Sequence, residues 1–374
     1  MQGNVYQGRL AKVRESMSRH EVDALVLSKG EKVNSVNAFY LSGFTGSTAV
    51  LVITCENAAF ITDSRYTEQA GQEVHGFDIF EATSRKQLFE ELIPRALGNA
   101  ARVGLMREET LLGFHHHMKE AHPLLEIVGL PSLVEHIRQV KDSDEMRRII
   151  ASIRATEEGI KRAISFIRPG ISELDVADAF RSSLPKGSRL AFDSIIASGE
   201  RSTLPHGRAS GKIIESGDAV QFDVGCVLNG YVSDLSRVAV CGKASLDQKR
   251  MYGALVDAID EALKFYRPGL EVGTAYQCAL EVLDARGYAE NKFGHLLGHG
   301  MGLAAHEDPR IGPPSPPDNP DIFEVGNVVT IEPGVYSKEL GFGMRIELDI
   351  EITPYGHEIL DTLPWRQLFE TENP

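Results

Sequence analysis

Two stretches of the chain share a nine-residue pattern in which a carboxylate is followed by one residue and a glycine. Residues 217–225 carry Asp223 at this place, and residues 326–334 carry Glu332. A second acid follows each stretch, Asp234 in the first copy and Glu347 in the second. Because side chains alternate between the two faces of a strand, each copy can direct both of its acids to one side. We therefore expect the four carboxylates to converge.

A histidine-rich stretch, residues 294–307, lies between the two copies and is interrupted by glycines. Four acids brought together would repel one another severely unless cations held them. One nitrogen ligand in a set of oxygen ligands suits Mn, Co, Fe or Zn. Two such cations, roughly 3.5–4 Å apart, can share a water and polarise a carbonyl, which favours amide hydrolysis. The pattern predicts a site for two divalent metal ions with the ligands Asp223, Asp234, His299, Glu332 and Glu347.

Length, charge and cysteine content narrow the class of protein. The chain has 374 residues, which suggests two domains. A formal net charge of -14 disfavours nucleic acid or an anionic membrane surface as the main partner. The N-terminus lacks the apolar core of a signal peptide, and no apolar run is long enough to span a membrane. The four cysteines have no CxxC spacing, which is typical of reduced thiols. We therefore predict a cytoplasmic protein.

The pattern of apolar residues divides the chain into an α/β domain, residues 1–132, and a second domain, residues 133–374. In the first we predict strands at 22–27, 49–53 and 58–62, and a helix at 84–97. This domain also has three consecutive histidines, residues 115–117. Because consecutive side chains of a helix point in different directions, we expect a solvated helix face here rather than a metal site.

The second domain carries further signs of duplication. An amphipathic helix ends at Arg-Pro-Gly, residues 168–170, and another ends at Arg-Pro-Gly, residues 267–269. A second helical pattern follows each stop, at 172–184 and 272–286. Two repeats are too few for a solenoid. We expect an α+β domain with internal pseudo-two-fold symmetry, in which paired helices back two antiparallel sheet halves.

Several short motifs together resemble one family. They are Leu-Pro-His-Gly at 204–207, Ser-Asp-Leu-Ser-Arg at 233–237, His-Leu-Leu-Gly-His-Gly at 295–300, Ile-Glu-Pro-Gly at 331–334 and Met-Arg-Ile-Glu at 344–347. With Asp223, they resemble the pita-bread metallopeptidases, specifically the Xaa-Pro dipeptidase (prolidase) and aminopeptidase P branch. Residues 39–46 and 62–67 resemble the creatinase-type N-terminal domain of that branch. The resemblance covers nearly the whole chain.

The resemblance implies a role for each site residue. Asp223 and Asp234 would chelate one metal, His299 and Glu332 would complete the sites, and Asp234 and Glu347 would bridge. Glu332 would also move the proton of the attacking water. The family's two histidines that bind no metal match His206 and His306, which would steady the tetrahedral intermediate and its oxyanion. His295 matches a motif histidine, and a structural hydrogen bond explains it equally well.

Three further features leave alternatives open. Arg345 either orients Glu347 or clamps a substrate carboxylate, and Arg310 is a candidate for the C-terminal end of the substrate. The proline-rich loop, residues 313–320, is expected to be a solvated surface loop, with a pocket wall as the alternative. Ser236 and Val238 stand where the family more often has threonine. The hydroxyl of Ser236 can still hydrogen-bond to a carboxylate that binds metal, whereas Val238 has no hydroxyl for such a bond.

The residues favour a metal-dependent amide hydrolase, and the resemblance implies that it removes an N-terminal residue preceding proline and forms a homodimer through its N-terminal domain. Mn is the favoured metal, with Co, Zn or Fe as alternatives. Dipeptidase and aminopeptidase remain open. A metal-dependent hydrolase of a small non-peptide amide, ectoine- or creatine-like, is the alternative enzyme, and a catalytically dead binding module is the alternative of another class. No Rossmann, P-loop, HExxH or GxSxG motif occurs in a suitable context.

Overall fold

The computed structural model describes residues 2–31, 36–316 and 320–371, with side chains from residue 5 onward. The chain divides into two compact units, Met1–Arg138 and Gln139–Pro374. The predicted boundary between residues 132 and 133 lies at the start of the helix Leu133–Gln139, whereas the units divide at its end. Within the described residues, none of the helices combines the length and the apolar character that a membrane crossing requires.

The N-terminal unit is built on a six-stranded mixed sheet. The strands are β1 (Ala24–Lys29), β2 (Ala49–Thr54), β3 (Ala58–Thr62), β4 (Asp78–Glu81), β5 (Arg102–Met106) and β6 (Glu126–Leu130). Their order in the sheet is β4-β3-β2-β1-β5-β6, and β2 is antiparallel to both of its neighbours. The helices are α1 (Gln2–Arg19), α2 (Asn37–Ser42), α3 (Thr67–Glu73), α4 (Arg85–Gln87), α5 (Ile93–Leu97), α6 (Leu112–Ala121) and α7 (Leu133–Gln139).

The predicted elements of this unit have close counterparts. The strand expected at 22–27 runs two residues later, and those at 49–53 and 58–62 match β2 and β3. The helix expected at 84–97 begins after Ser84, whose side chain accepts a hydrogen bond from the backbone of Gln87, and it includes a π-helical turn at Leu88–Leu92. The histidine triplet lies on α6 with His116 exposed. Among the described residues, no cluster of three metal-ligating side chains includes it.

The C-terminal unit contains the duplicated segments. Its helices are α8 (Ser143–Phe166), α9 (Glu173–Ser183), α10 (Leu246–Ala262) and α11 (Val272–Ala285). Its strands are β7 (Arg189–Leu190), β8 (Ile195–Ser198), β9 (Ala219–Val224), β10 (Cys226–Leu228), β11 (Tyr231–Val232), β12 (Leu235–Val240), β13 (Gly298–Gly300), β14 (Glu307–Ile311), β15 (Val328–Ile331), β16 (Gly334–Ser337), β17 (Phe342–Arg345), β18 (Leu348–Thr353), β19 (Gly356–Ile359) and β20 (Phe369–Glu370).

Both copies of the repeat have the same order of elements. A helix pair, α8 and α9 or α10 and α11, precedes two antiparallel strands that have a hairpin between them. The hairpin β10-β11 lies between β9 and β12, and the hairpin β16-β17 lies between β15 and β18. The first glycine of each nine-residue pattern, Gly217 or Gly326, has a positive φ of 91° or 89°, which glycine adopts without strain. The same turn therefore starts each acid-bearing strand.

A buried apolar layer supports the second pair of acid-bearing strands. Leu255 and Ile259 of α10, with Leu283 of α11, belong to the same fully buried cluster as Ile331 of β15 and Ile350 of β18. Each such side chain contributes about 1.5–3 kcal/mol through burial. The helices α10 and α11 thus pack against one face of β15 and β18, and the acids at the ends of these strands can face the other side of the sheet.

The cysteines and the proline-rich loop are the remaining features that the sequence singles out. Cys226 and Cys241 are buried, and all four cysteines are free thiols. In the proline-rich loop, residues 313–316 and 320 have no regular structure, while residues 317–319 lie outside the described residues.

Candidate metal centre

The five predicted ligands stand at the ends of the acid-bearing strands and on one glycine-flanked strand. Asp223 lies on β9, three residues before the start of the hairpin, and Asp234 directly precedes β12. Glu332 directly follows β15, and Glu347 lies between β17 and β18. Asp223 pairs with Ser236 across β9 and β12, which places it on the same face as Asp234 two residues earlier. His299 occupies the centre of β13.

The glycines beside His299 allow β13 to lie between two other strands. A Cβ atom at Gly298 would meet the backbone oxygen of Thr330 at 2.1 Å, and one at Gly300 would meet that of Asp308 at 2.2 Å. Any other residue would push β13 away from β14 or β15. The Gly-His-Gly sequence therefore brings the imidazole of His299 up to the acids.

All five side chains line one cavity of about 490 Å³. Asp234, His299 and Glu347 each offer a ligand atom within 4.8 Å of the other two. The Nε2 atom of His299 lies 3.6 Å from Oε1 of Glu332 and 3.9 Å from Oδ2 of Asp234. The structure thus brings together the set that the duplicated pattern predicts.

The cluster has the character of a cation site. The Asp234 Oδ1 atom is buried and has no hydrogen-bond partner among the described residues, although a buried carboxylate oxygen rarely stays unpaired. Burial, with the charge of Glu347 next, raises the pKa of Asp234 well above its usual range. Burial likewise raises the pKa of Glu347, with further contributions from Glu332 and Asp223. A divalent cation would supply both the missing partner and the missing positive charge.

His299 is prepared to act as a neutral ligand. Burial lowers its pKa to about 4, so the ring is uncharged at neutral pH. Its Nδ1 atom lies 3.0 Å from the backbone oxygen of Gly300, and a proton on Nδ1 donates to that oxygen. This tautomer leaves the lone pair of Nε2 facing Glu332 and Asp234. A backbone carbonyl that fixes the ring in this way is the usual support of a metal-binding histidine.

A second layer of polar residues holds the acids in place. Arg345 is 1% exposed, forms an ion pair with Asp223 through Nη2, and donates from Nε to Oγ of Ser236 (3.1 Å). The Ser236 hydroxyl in turn donates to Oε2 of Glu347 (3.0 Å). Of the two predicted roles of Arg345, the contacts favour orienting the carboxylates, through Asp223 directly and Glu347 through Ser236. Val238 lies in the apolar core.

Three supporting residues carry no obvious signal in the sequence. Tyr336 accepts a hydrogen bond from Nη1 of Arg345 (2.7 Å). Arg237, fully buried, donates to the backbone oxygen of Glu347 (2.6 Å) and pairs with Asp361. Only the position of Arg237 in the motif at 233–237 could have drawn attention to it. Tyr336 and Asp361 depend on contacts between distant segments.

The three histidines outside the ligand set also line the cavity. His306 packs against the predicted ligand His299, with 4.3 Å between ring centroids. His206 is exposed on the loop that follows the 3₁₀ turn Gly199–Thr203. The Nδ1 atom of His295 lies 2.7 Å from the backbone oxygen of Leu296, and its Nε2 atom lies 3.3 Å from the Tyr336 hydroxyl. The contacts of His295 are those of a structural hydrogen-bonding residue at the cavity wall.

Two predicted substrate features are not among the lining residues of the cavity. Arg310 pairs with His299 across β13 and β14, which places the two side chains on the same face, and its Nε atom lies 3.9 Å from Oδ1 of Asp308 with the side chain 72% exposed. After burial, the positive charge of Arg310 helps to lower the pKa of His299 and of His306. The described part of the proline-rich loop contributes no residue to the lining, and Ser315 hydrogen-bonds to Asp321 instead. The lining instead includes a cation that the sequence did not single out, Arg208.

The N-terminal unit has a larger cavity, of about 740 Å³, beside the ends of β1 and β3. Its walls are mainly apolar and hydroxyl side chains, and among the described residues they hold no group of three metal ligands. The chemistry therefore points to the smaller cavity of the C-terminal unit.

Comparison with known proteins agrees with this geometry. Residues 147–354 match the model of metallopeptidase family M24, and residues 9–140 match the creatinase/prolidase N-terminal domain. The chain belongs to metallopeptidase family M24. The predicted fold, a creatinase-type α/β domain followed by an α+β pita-bread catalytic domain, is confirmed. Membership of this family implies the use of a divalent metal and a peptide substrate.

Relatives of this M24 chain span nearly its full length. The uncharacterized peptidase YqhT of Bacillus subtilis (strain 168) is 35% identical over 95% of this chain and 98% of its own. The Xaa-Pro dipeptidase of Pyrococcus horikoshii is 30% identical over 96% of this chain and 97% of its own. A crystal structure of the X-Pro aminopeptidase from Thermotoga maritima MSB8 superimposes with a TM-score of 0.86 at 33% identity, covering 95% of this chain and 99% of the other.

Proposed function

We propose that this M24 protein holds two divalent cations and hydrolyses the bond between an N-terminal residue and proline. The observation that carries the proposal is the cavity in which four acids and a neutral histidine meet, with one buried carboxylate oxygen left without a partner. Such a set supports catalysis by metal-activated water, because its net negative charge requires cations and its ligands are hard oxygens with one imidazole.

In this proposal each ligand has a defined place. Asp223, Asp234, His299, Glu332 and Glu347 would together hold the two cations, with Asp234 and Glu347 contributing to both. Mn fits the carboxylate-rich set, with Co, Zn or Fe as alternatives. When bound, the cations lower the pKa of a water and polarise the substrate carbonyl.

The residues of the chain then handle protons and charge. In the metal-free protein, burial raises the pKa of Glu332 to about 8, an effect that Arg345 opposes and Asp223 reinforces. Bound cations would lower this pKa, so that the Glu332 carboxylate could accept the proton of the attacking water. Burial also lowers the pKa of His306, which keeps the ring neutral and able to donate an N–H. His306 and His206, on the cavity wall, donate to the oxyanion that forms at the scissile carbonyl.

The preference for proline is supported by the relatives and by the shape of the cavity. Phe192, Ile195 and Leu296 form an apolar part of the wall beside the polar cluster. The pyrrolidine ring of the substrate proline is apolar and compact, so it can pack against these side chains while the scissile carbonyl faces the acids. The homodimer and the cytoplasmic location remain predictions of the sequence.

The decisive experiment is the turnover of Ala-Pro, Ala-Pro-Ala and Ala-Ala by protein stripped of metal and reloaded with Mn or Co. We expect hydrolysis of the proline peptides alone, a return of activity with metal, and metal analysis that finds two ions per chain. His299→Ala should bind less metal and lose activity. Turnover of an ectoine-like amide without any cleavage of Xaa-Pro would replace the peptidase by a small-amide hydrolase. A protein without metal or activity would be a binding module.

A further inference from the structure

The loop that carries His306 is held by a buried carboxylate next to that histidine in the chain. The Glu307 side chain is 7% exposed, and its Oε1 atom accepts hydrogen bonds from the backbone N–H groups of Leu303 (2.9 Å) and Ala304 (3.0 Å). The carboxylate therefore closes residues 303–307 into a tight turn. His306 belongs to this turn and lines the cavity of the candidate metal centre.

A buried lysine pairs with the same carboxylate. The Lys141 side chain is 1% exposed, and its Nζ atom lies 3.4 Å from Oε2 of Glu307. The Lys141 backbone N–H donates to the backbone oxygen of Gly326 (2.9 Å), at the turn that starts β15. Gly302 packs on the pair, because a Cβ atom there would lie 3.0 Å from Oε2 of Glu307 and 3.2 Å from Cε of Lys141. Lys141 thus connects the turn to the backbone that leads to Glu332.

Neither residue of this pair is among the lining residues of the cavity. Their route to the site is His306, whose ring packs against that of His299 with 4.3 Å between centroids. Stability alone gives no reason for a buried ion pair, because apolar side chains of similar volume often stabilise a protein equally well. A charged pair adds direction, since its hydrogen bonds form in one arrangement of the loop.

We propose that the Lys141–Glu307 pair positions His306 to donate a hydrogen bond to the oxyanion at the scissile carbonyl. This inference rests on the proposed function of the cavity and adds two positioning residues to it. A donor stabilises a developing oxyanion best when it is already in place, because no reorganisation is then needed during the reaction. The exposed ring of His306 has this property only if its backbone is fixed.

The loop of the other proposed oxyanion donor is held in the same way. Glu173 is fully buried and accepts hydrogen bonds from the backbone N–H groups of Ser198 and Ser210, on either side of His206. A basic residue, Arg201, pairs with this glutamate. Each copy of the repeat therefore uses a buried glutamate, two backbone N–H groups and one cation to fix a histidine loop. The recurrence supports a common role in placing the histidines.

The test is a double-mutant cycle on kcat for Ala-Pro with the metal-loaded protein. Glu307→Ala should lower kcat roughly 10- to 100-fold while KM and Mn affinity change less than about threefold. In the His306→Ala background the same change should lower kcat less than about threefold, because the residue through which it acts is absent. Glu307→Gln keeps an oxygen acceptor for the two N–H groups and should recover most of kcat. Lys141→Met should lower kcat by a smaller factor than Glu307→Ala.

A matched control removes a carboxylate with similar contacts from the N-terminal unit. The Oδ2 atom of Asp23 accepts from the backbone N–H groups of Ala101 (2.9 Å) and Arg102 (2.8 Å). Asp23→Ala should lower the urea midpoint and leave kcat unchanged. If Glu307→Ala lowers kcat by the same factor with and without His306, or no more than Asp23→Ala does, the positioning role is wrong.

A measurement on the His306 ring separates this inference from the proposed function, because it needs no turnover. Carbon–proton NMR spectra of Zn-loaded, histidine-labelled protein report the surroundings of the ring, and His306→Ala assigns its signals. We expect Glu307→Ala and Lys141→Met to shift these signals and Asp23→Ala to leave them in place. A wild type that cleaves no Xaa-Pro peptide contradicts the proposed function. Unshifted His306 signals in both variants contradict the positioning role, whatever the activity.

Discussion

Replacing Ser236 with alanine removes one buried oxygen atom from between two charged side chains of the candidate metal centre. The hydroxyl donates to Oε2 of Glu347 at 3.0 Å and accepts from Nε of Arg345 at 3.1 Å, and the residue is fully buried. A hydrogen bond to a charged group contributes about 1.5–3 kcal/mol. At 1.4 kcal/mol per tenfold, this corresponds to roughly 10- to 150-fold in an equilibrium constant. Loss of a residue that supports a metal ligand typically costs about 10- to 100-fold in affinity.

We therefore expect Ser236→Ala to bind Mn about 10- to 100-fold more weakly than the wild type. The metal-free protein should also lose about 1–3 kcal/mol of unfolding free energy, because Nε of Arg345 is left buried without its acceptor. Ser236→Thr, which restores a hydroxyl at the same place, should keep most of the affinity. Calorimetric titration of Mn into the metal-free variants, with urea unfolding in parallel, measures both quantities.

A second buried serine supplies the control. Ser42 of the N-terminal unit is also fully buried, and its hydroxyl donates to the backbone oxygen of Ala38 at 2.6 Å. Ser42→Ala should lower stability and leave Mn affinity unchanged. If Ser236→Ala binds Mn as tightly as Ser42→Ala does, the Ser236 hydroxyl does not support Glu347, and the reasoning from its contacts is refuted.

Three further outcomes follow from buried charges. Burial raises the pKa of Glu332 from its ordinary value of 4.5 to about 8, so the stability linked to its proton is fully present below about pH 4.5 and is lost as the pH rises to about 8. Urea midpoints of metal-free protein should therefore fall between about pH 5 and pH 8 and level off above that, and saturating Mn should remove the fall. Glu173 is fully buried, and its carboxylate accepts hydrogen bonds from the backbone N–H and the hydroxyl of both Ser198 and Ser210, which lie at the two ends of the loop that carries His206. Glu173→Gln should lower the free energy of urea unfolding by about 1.5–3 kcal/mol and lower kcat, with the Mn affinity unchanged. An unaltered kcat would exclude this positioning role. Arg237→Leu leaves Asp361 buried without its cation and should cost about 3–5 kcal/mol in the same assay, so a loss below about 1 kcal/mol would contradict the buried ion pair.

The duplicated pattern predicted much of the catalytic unit because each of its features is local. The helix stops at residues 168–170 and 267–269 depend on proline and glycine within a few positions, and the helices that follow, α9 and α11, begin within one residue of the predicted starts. The alternation of strand side chains placed Asp223 and Asp234 on one face. Such short-range rules need no knowledge of distant segments.

The substrate end of the cavity could not be predicted in the same way. Arg310 was singled out because it follows His306 closely in the sequence; it pairs with His299 across β13 and β14, but its side chain is mostly exposed and is not among the lining residues. Arg208 enters the lining because a bridge to Ile195 turns the loop toward the cavity. Whether an exposed side chain faces a cavity or solvent depends on the path of the loop, which short-range sequence patterns do not encode.

By itself, the sequence determined the elements, the duplication and the chemical types at the centre, because periodicity, turn residues and repeated acids are properties of neighbouring positions. Only the tertiary structure decided how these groups act on one another. Burial sets the protonation of His299 and Glu332, and contacts across more than a hundred residues give Arg345 its place beside Asp223. Electrostatic interactions depend on distance and dielectric, and both are fixed only when separate segments of the chain pack together.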